Sequence, residues 1–152
     1  NTKITNFGSM DRITPEQRTK NMKAIRSKGS KIEQTLGKAL WNSGVRYRKN
    51  DSSIYGKPDI SIKKYKIAIF CDSEFWHGKD WDSNKNCFKT NIEFWNRKIE
   101  CNINRDGIVN SRLLNEGWII IRFWGREITF NTTECVKKVT DEIEKRKNTK
   151  VR

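Results

Sequence analysis

Histidine occurs once in these 152 residues, proline twice, and the four cysteines, Cys71, Cys87, Cys101 and Cys135, include no Cys-x-x-Cys pair. One imidazole and four scattered thiols make a poor zinc cluster by spacing, so separate reduced thiols are expected and zinc is not. No apolar run approaches bilayer-spanning length, and no basic, apolar and small-residue pattern of a signal peptide is present. The chain therefore reads as soluble, intracellular and cytoplasmic, with no membrane partner. Acids are also in short supply: 18 Asp and Glu face 32 Lys and Arg, a net charge of +14. Aromatic residues remain at 11%, which argues against disorder. A folded chain with this excess of positive charge meets a polyanion, with nucleic acid ahead of an anionic membrane surface. The length suits one domain with a real core. There is no internal repeat or low-complexity linker.

What is present centres on Lys66 to Asp80, KIAIFCDSEFWHGKD. Ile67, Ala68, Ile69 and Phe70, bounded by lysines and then acids, read as a buried strand that delivers polar groups to one sheet edge. Upstream, Gly56-Lys57-Pro58-Asp59 places a carboxylate at the start of a strand over Asp59 to Ile62, with Lys63-Lys64-Tyr65 as the turn. Pairing through that turn sets Asp59 opposite Phe70 or Cys71, within a residue or two, at roughly 3.3 Å each, of Asp72. Two carboxylates so placed suit a hard divalent cation.

Residues 1–9, ending Phe7-Gly8-Ser9 before Met10, read from composition as an appended remnant, 10–147 as the single domain, and 148–152 as a basic tail. Thr14-Pro15-Glu16-Gln17 starts a first helix, capped by Thr14. Lys20, Lys23 and Arg26 make it or its exit basic, either as a solvated face or as phosphate contacts. Met22 among these cations reads as a packing residue. Ser30-Lys31-Ile32-Glu33 repeats the capping pattern ahead of Leu36, Ala39 and Leu40, so Glu33 has a structural explanation as the N3 cap. A strand can begin over Val45 to Arg48, and Asp51 to Gly56 is a loop. Trp81 to Thr90 reads as a surface loop. Asn91 to Asn115 has helical spacing up to Gly117, with Gly107 a point of kinking or division. Trp118 to Trp124 is a strand covered on both faces, and Thr133 to Lys147 a last helix. The order α, α, three strands, α, strand, α gives an α/β fold, a mixed sheet flanked by helices.

Over about Arg18 to Ile128 the blocks RTKNMKAIRSK, SKIEQTLGKAL, GKPDI, IAIF followed by FWHG, TNIEFWNRKIECNINRD and EGWIIIRFW resemble the very-short-patch-repair (Vsr) DNA mismatch endonucleases. These belong to the wider nuclease superfamily marked by Pro-Asp and then Asp or Glu-x-Lys. The resemblance implies a restriction-endonuclease-like core and a Mg²⁺-dependent cut of one strand of double-stranded DNA at a T:G mismatch. It implies Asp59 as the metal-binding aspartate and Cys71 as a metal contact through its backbone carbonyl. It also implies His77 as the catalytic histidine, Glu33 as an active-site acid, and Met22, Phe75 and Trp76 as a wedge in the base stack. Mismatch-repair proteins are candidate partners, and action as a monomer is expected. Asp72 stands where the family pattern has a second active-site histidine. Glu74, Lys79, Trp81 and Gly125-Arg126 stand where it has the ligands of a structural zinc site, which these residues cannot form.

The chemistry asks for these residue types. Carboxylate-held Mg²⁺ neutralises charge developing on a phosphodiester, which suits Asp59 and Asp72, and an imidazole takes a proton near neutral pH, which suits His77. The plainer readings are a solvated or capping histidine, strand-end acids paired with lysine, and Phe75-Trp76 as core packing; the functional reading of that pair is an unstacking wedge. The rivals to mismatch nicking are a restriction-type endonuclease cutting matched DNA and a catalytically silent DNA-binding module on the same fold.

Overall fold

In the computed structural model, residues 16, 30–74, 77–84 and 91–150 are described. The first-helix reading from Thr14, with Met22, Lys20, Lys23 and Arg26, lies outside them, as do Phe75 and Trp76. The elements run α1 (Lys31–Asn42), β1 (Arg48–Lys49), β2 (Ile60–Ile62), a 3-10 turn (Lys63–Tyr65), β3 (Ile67–Asp72), α2 (Trp81–Asn84), α3 (Ile92–Asn115), β4 (Ile119–Trp124), α4 (Gly125–Phe130) and α5 (Thr132–Lys150). The strands form one sheet in the order β1-β2-β3-β4. β1, β2 and β3 pair antiparallel, whereas β3 and β4 are parallel from Ile67↔Ile119 to Asp72↔Trp124. A parallel pair needs a long crossover, and α3 lies within it.

Strand alternation assigns the two faces. Ile67, Ile69 and Cys71 of β3 and Ile121 and Phe123 of β4 join Leu36, Leu40, Ile128 and Val139 in the larger core, beneath α1, α4 and α5. Ala68 and Phe70 point the other way, to Val109 and Leu113 of α3, with Ile120 packed against them. By the same alternation Asp72 and Arg122 belong to the α3 side. The second layer is thus apolar at one end of the sheet and charged at the other.

Several boundaries differ from the sequence reading. α3 continues through Gly107, where a Cβ would meet nothing within 4 Å. Packing of Ile99, Val109 and Leu113 on either side of that position holds the helix as one piece. The start of the expected Trp81 loop is the one-turn helix α2, and 85–90 lie outside the described residues. The chain turns into α4 directly after Trp124, and α5 starts one residue before Thr133 and runs past Lys147. The strand expected near Val45 is only Arg48–Lys49, because Val45 is drawn into the core at the end of α1. Among the described residues no helix is long and apolar enough to cross a membrane.

Gly56 has φ +76°, and a Cβ there would run into the Val109 side chain. It lets the β1–β2 loop lie against α3 just before Asp59. Gly56→Ala combines left-handed strain with overpacking and is expected to destabilise the fold by about 2 to 4 kcal/mol, measurable as a lower urea midpoint.

Candidate active site

β2 begins where β3 ends, so their antiparallel pairing joins residues from both at one edge. The register Ile60↔Ile69 places Asp59 across from Phe70. The Cys71 N–H donates to Asp59 Oδ2 at 2.8 Å, which fixes the carboxylate against the strand. Glu33 enters from the first turn of α1, where Ser30 Oγ accepts its N–H at 3.4 Å, and its side chain is buried. Asp72 closes β3, and the turn beyond it, held by His77 N–H to the Ser73 carbonyl, carries His77 back over the edge. Glu33, Asp59, Cys71, Asp72 and His77 line a single cleft of about 550 Å³, together with Lys98, Arg105, Asp106 and Arg122.

Asp106 and Arg122 went unmarked in the sequence reading. Asp106 Oδ2 lies 2.6 Å from His77 Nδ1; beside an ionised carboxylate, which only accepts, the neutral ring keeps its proton on Nδ1 and its lone pair on Nε2. Arg122 Nη1 donates to both Asp72 oxygens, at 3.2 and 3.0 Å. Asp72, read from the sequence as a metal-binding acid or a strand-end acid paired with lysine, is half of an ion pair with an arginine. The Asp72, His77 and Asp106 ligand atoms lie within 4.8 Å of one another.

The charges perturb one another. Burial pushes the Asp59 carboxyl from its ordinary 3.8 up to about 6, with the Glu33 and Asp72 charges adding and the Cys71 N–H and His77 opposing. Asp72 is also raised, chiefly by burial, against the pull of His77 and Arg122. For His77 burial is the largest influence and lowers its pKa, yet the Asp106 hydrogen bond with the Asp72 and Asp106 charges outweighs it and leaves the imidazole raised. Burial drives the Cys71 thiol far above its usual range, so it is no nucleophile. Buried oxygen donors with unfavourable negative charge match a hard divalent cation.

The positions that the resemblance sets against zinc ligands make contacts within the protein. Glu74 Oε1 accepts the Arg126 N–H at 2.7 Å, and a Cβ on Gly125 would lie 3.2 Å from Glu74 Oε2. Lys79 Nζ lies 5.9 Å from the Trp124 ring centroid, and Trp81 Nε1 donates to Glu100 Oε1 at 3.4 Å. A carboxylate thus clasps the turn bearing His77 to the start of α4.

A mixed sheet with helices on both faces, and carboxylates and an imidazole at one strand edge, is the architecture of a restriction-endonuclease-like DNA endonuclease. The family model for the DNA mismatch endonuclease Vsr matches residues 10–83. The chain is 56% identical over 134 residues to the type II nicking enzyme V.NmeDIP of Neisseria meningitidis serogroup C, covering 88% of this chain and 90% of that one. It is 58% identical over 123 residues to the type II nicking enzyme V.HpaIIP of Haemophilus parainfluenzae, covering 80% and 87%. With the DNA mismatch endonuclease Vsr of Escherichia coli (strain K12) it shares 34% over 134 residues, covering 82% and 76%. The chain belongs to the Vsr family of DNA endonucleases.

The raised Asp59 carboxyl couples stability to pH. Unfolded, it ionises near 3.8; folded, near 6. Between these values the folded form holds a proton that the unfolded form has released, so metal-free stability is whole below the first and declines as pH rises through the second. Asp59→Asn keeps an acceptor for the Cys71 N–H and removes the charge. The metal-free variant is expected to exceed wild type by about 2 kcal/mol at pH 8 and to match it near pH 4, in paired urea unfolding curves.

Proposed function

We propose that this enzyme is a Mg²⁺-dependent endonuclease that nicks one strand of duplex DNA at or near a T:G mismatch, in DNA repair. The observation that carries the chemistry is the meeting of Asp59, Asp72 and Glu33 with the His77–Asp106 pair on one cleft. The names of the relatives, nicking enzymes and a mismatch endonuclease, support single-strand cutting and mismatch choice.

Asp59, the Cys71 carbonyl and Asp72 would hold the cation, and Glu33 adds negative charge behind them. Bound Mg²⁺ offsets charge on the phosphate and lowers the pKa of a coordinated water. The protein's own part is proton transfer and placement. Asp106 fixes the tautomer of His77 and directs Nε2 to the reacting group as a base, while the raised pKa strengthens that base at some cost in its unprotonated fraction at neutral pH. Lys98 and Arg105, on the cleft-facing side of α3, suit phosphate oxygens, and Lys20, Lys23 and Arg26 are assigned to further phosphate contacts. Met22, Phe75 and Trp76 are assigned to the base stack, where insertion costs least beside a mispaired base.

Asp59→Asn is expected to abolish Mg²⁺-dependent nicking while DNA affinity stays within about twofold, because backbone contacts dominate binding. Undiminished cleavage by this variant would remove Asp59 from the site. His77→Ala should slow the reaction on the order of 10² to 10⁴-fold, read in single-turnover assays.

Mismatch choice is tested on matched and T:G duplexes across a library of flanking sequences. Wild type should nick the T:G set faster, and replacing Phe75 and Trp76 by alanine should shrink that ratio more than it weakens general binding. Equal cutting of both sets, with double-strand breaks, is the result expected of a restriction-type enzyme instead.

A further inference from the structure

Two carboxylates flank one ring nitrogen: Asp106 Oδ2 lies 2.6 Å and Asp72 Oδ1 3.7 Å from His77 Nδ1. A single N–H makes one full hydrogen bond, so something must decide between the two acceptors. We propose that Arg122 is the positioning residue that assigns His77 to Asp106, by holding Asp72 out of the competition. Its Nη1 spans both oxygens of Asp72 and stands 3.6 Å from Asp106 Oδ1, the oxygen that His77 does not use. In the metal-free site each acid thus has its own partner: Asp72 the guanidinium, Asp106 the imidazole.

Arg122 can do this because it is itself fixed from three sides. Its Nε donates to Asn110 Oδ1 at 2.8 Å, and its guanidinium carbon lies 4.1 Å from the ring centroid of Phe70, its register partner on β3. Only a planar, forked cation can stack on a ring, bond an amide and bridge a carboxylate at once, so lysine would not substitute. Its Nη2 is buried with no hydrogen-bond partner among the described residues. An unmet buried donor costs stability, so the arrangement is better matched to fixing Asp72 than to maximising stability. The consequence for chemistry is directional. With Nδ1 bonded to Asp106 the Nε2 lone pair has one bearing, and a swing of the ring toward Asp72 would turn it away from the reacting group.

The inference rests on His77 as the proton-transfer group, yet the choice of acceptor is measurable without DNA or metal. His77 is the sole histidine, so isotopically labelled histidine in the metal-free full chain gives ring-nitrogen signals from one residue, which report tautomer and hydrogen bonding. Wild type should show one tautomer with the proton on Nδ1. In Arg122→Gln the ring signals should shift or split, and kcat for nicking should fall by about 10²-fold, as for a catalytic group displaced by an ångström, with KM for DNA within about twofold. Asp72→Leu/Arg122→Gln removes the competing acceptor along with its partner, and the wild-type ring signals should return. Unchanged signals in folded Arg122→Gln would overturn the proposal. So would displaced signals in the double variant, because Arg122 would then act by a route other than Asp72. If Arg122→Gln fails to fold, the double variant, a neutral pair of similar size, decides alone. Wild-type protein that cuts no duplex would instead refute the nuclease reading and leave the ring signals to be judged by themselves.

Discussion

Negative charge crowded at one end of a sheet is the constraint around which this structure is arranged. Glu33, Asp59, Asp72 and Asp106 arrive from four different elements at one cleft, and two of them lie where water reaches them poorly. Like charges at short range in a poorly solvated site cannot all ionise without compensation. Among the groups that answer this charge are the Arg122 guanidinium, the His77 imidazole and the Cys71 backbone amide. Burial, with neighbouring acids adding to it, leaves the Asp59 and Asp72 carboxyls with raised pKa values. A site kept in that condition gives up stability, and a divalent cation is the kind of ligand that would relieve it.

The fold makes this affordable by separating its two faces. The larger core, between the sheet and helices α1, α4 and α5, is apolar throughout and provides most of the burial. The α3 side carries a smaller apolar cluster that gives way to the polar end with Asp72, Asn110 and Arg122. Strain and charge are therefore confined to one end of one layer. The packing that holds the parallel β3–β4 pair in register lies elsewhere.

Much of this was legible from residues alone. Asp59 and the β3 strand were visible because apolar runs bounded by charge have few alternative readings, and the short turn between β2 and β3 left little freedom in register. Asp106 was missed although a signal existed: Asn102, Asp106 and Asn110 recur every four residues beside Ile99, Val109 and Leu113, so polar groups interrupt a helix face that must be buried. Arg122 was passed over inside WIIIRFW, where a single cation in an apolar strand is itself evidence of a buried acid opposite. Such partners come from segments far apart in the chain, and pairing them requires the register that only the folded sheet supplies. Asp72 illustrates the same limit, since its ion pair depends on a residue fifty positions away.

The Glu74 clasp differs in kind from a metal-held strap. A strap of thiolates around zinc closes only when metal is delivered, and it can be opened by oxidants or chelators. A carboxylate on the Arg126 amide uses atoms the chain always has, and it closes when β4 meets the turn after β3. The turn that carries His77 is thus held to the start of α4 by a contact whose two partners both come from the chain itself.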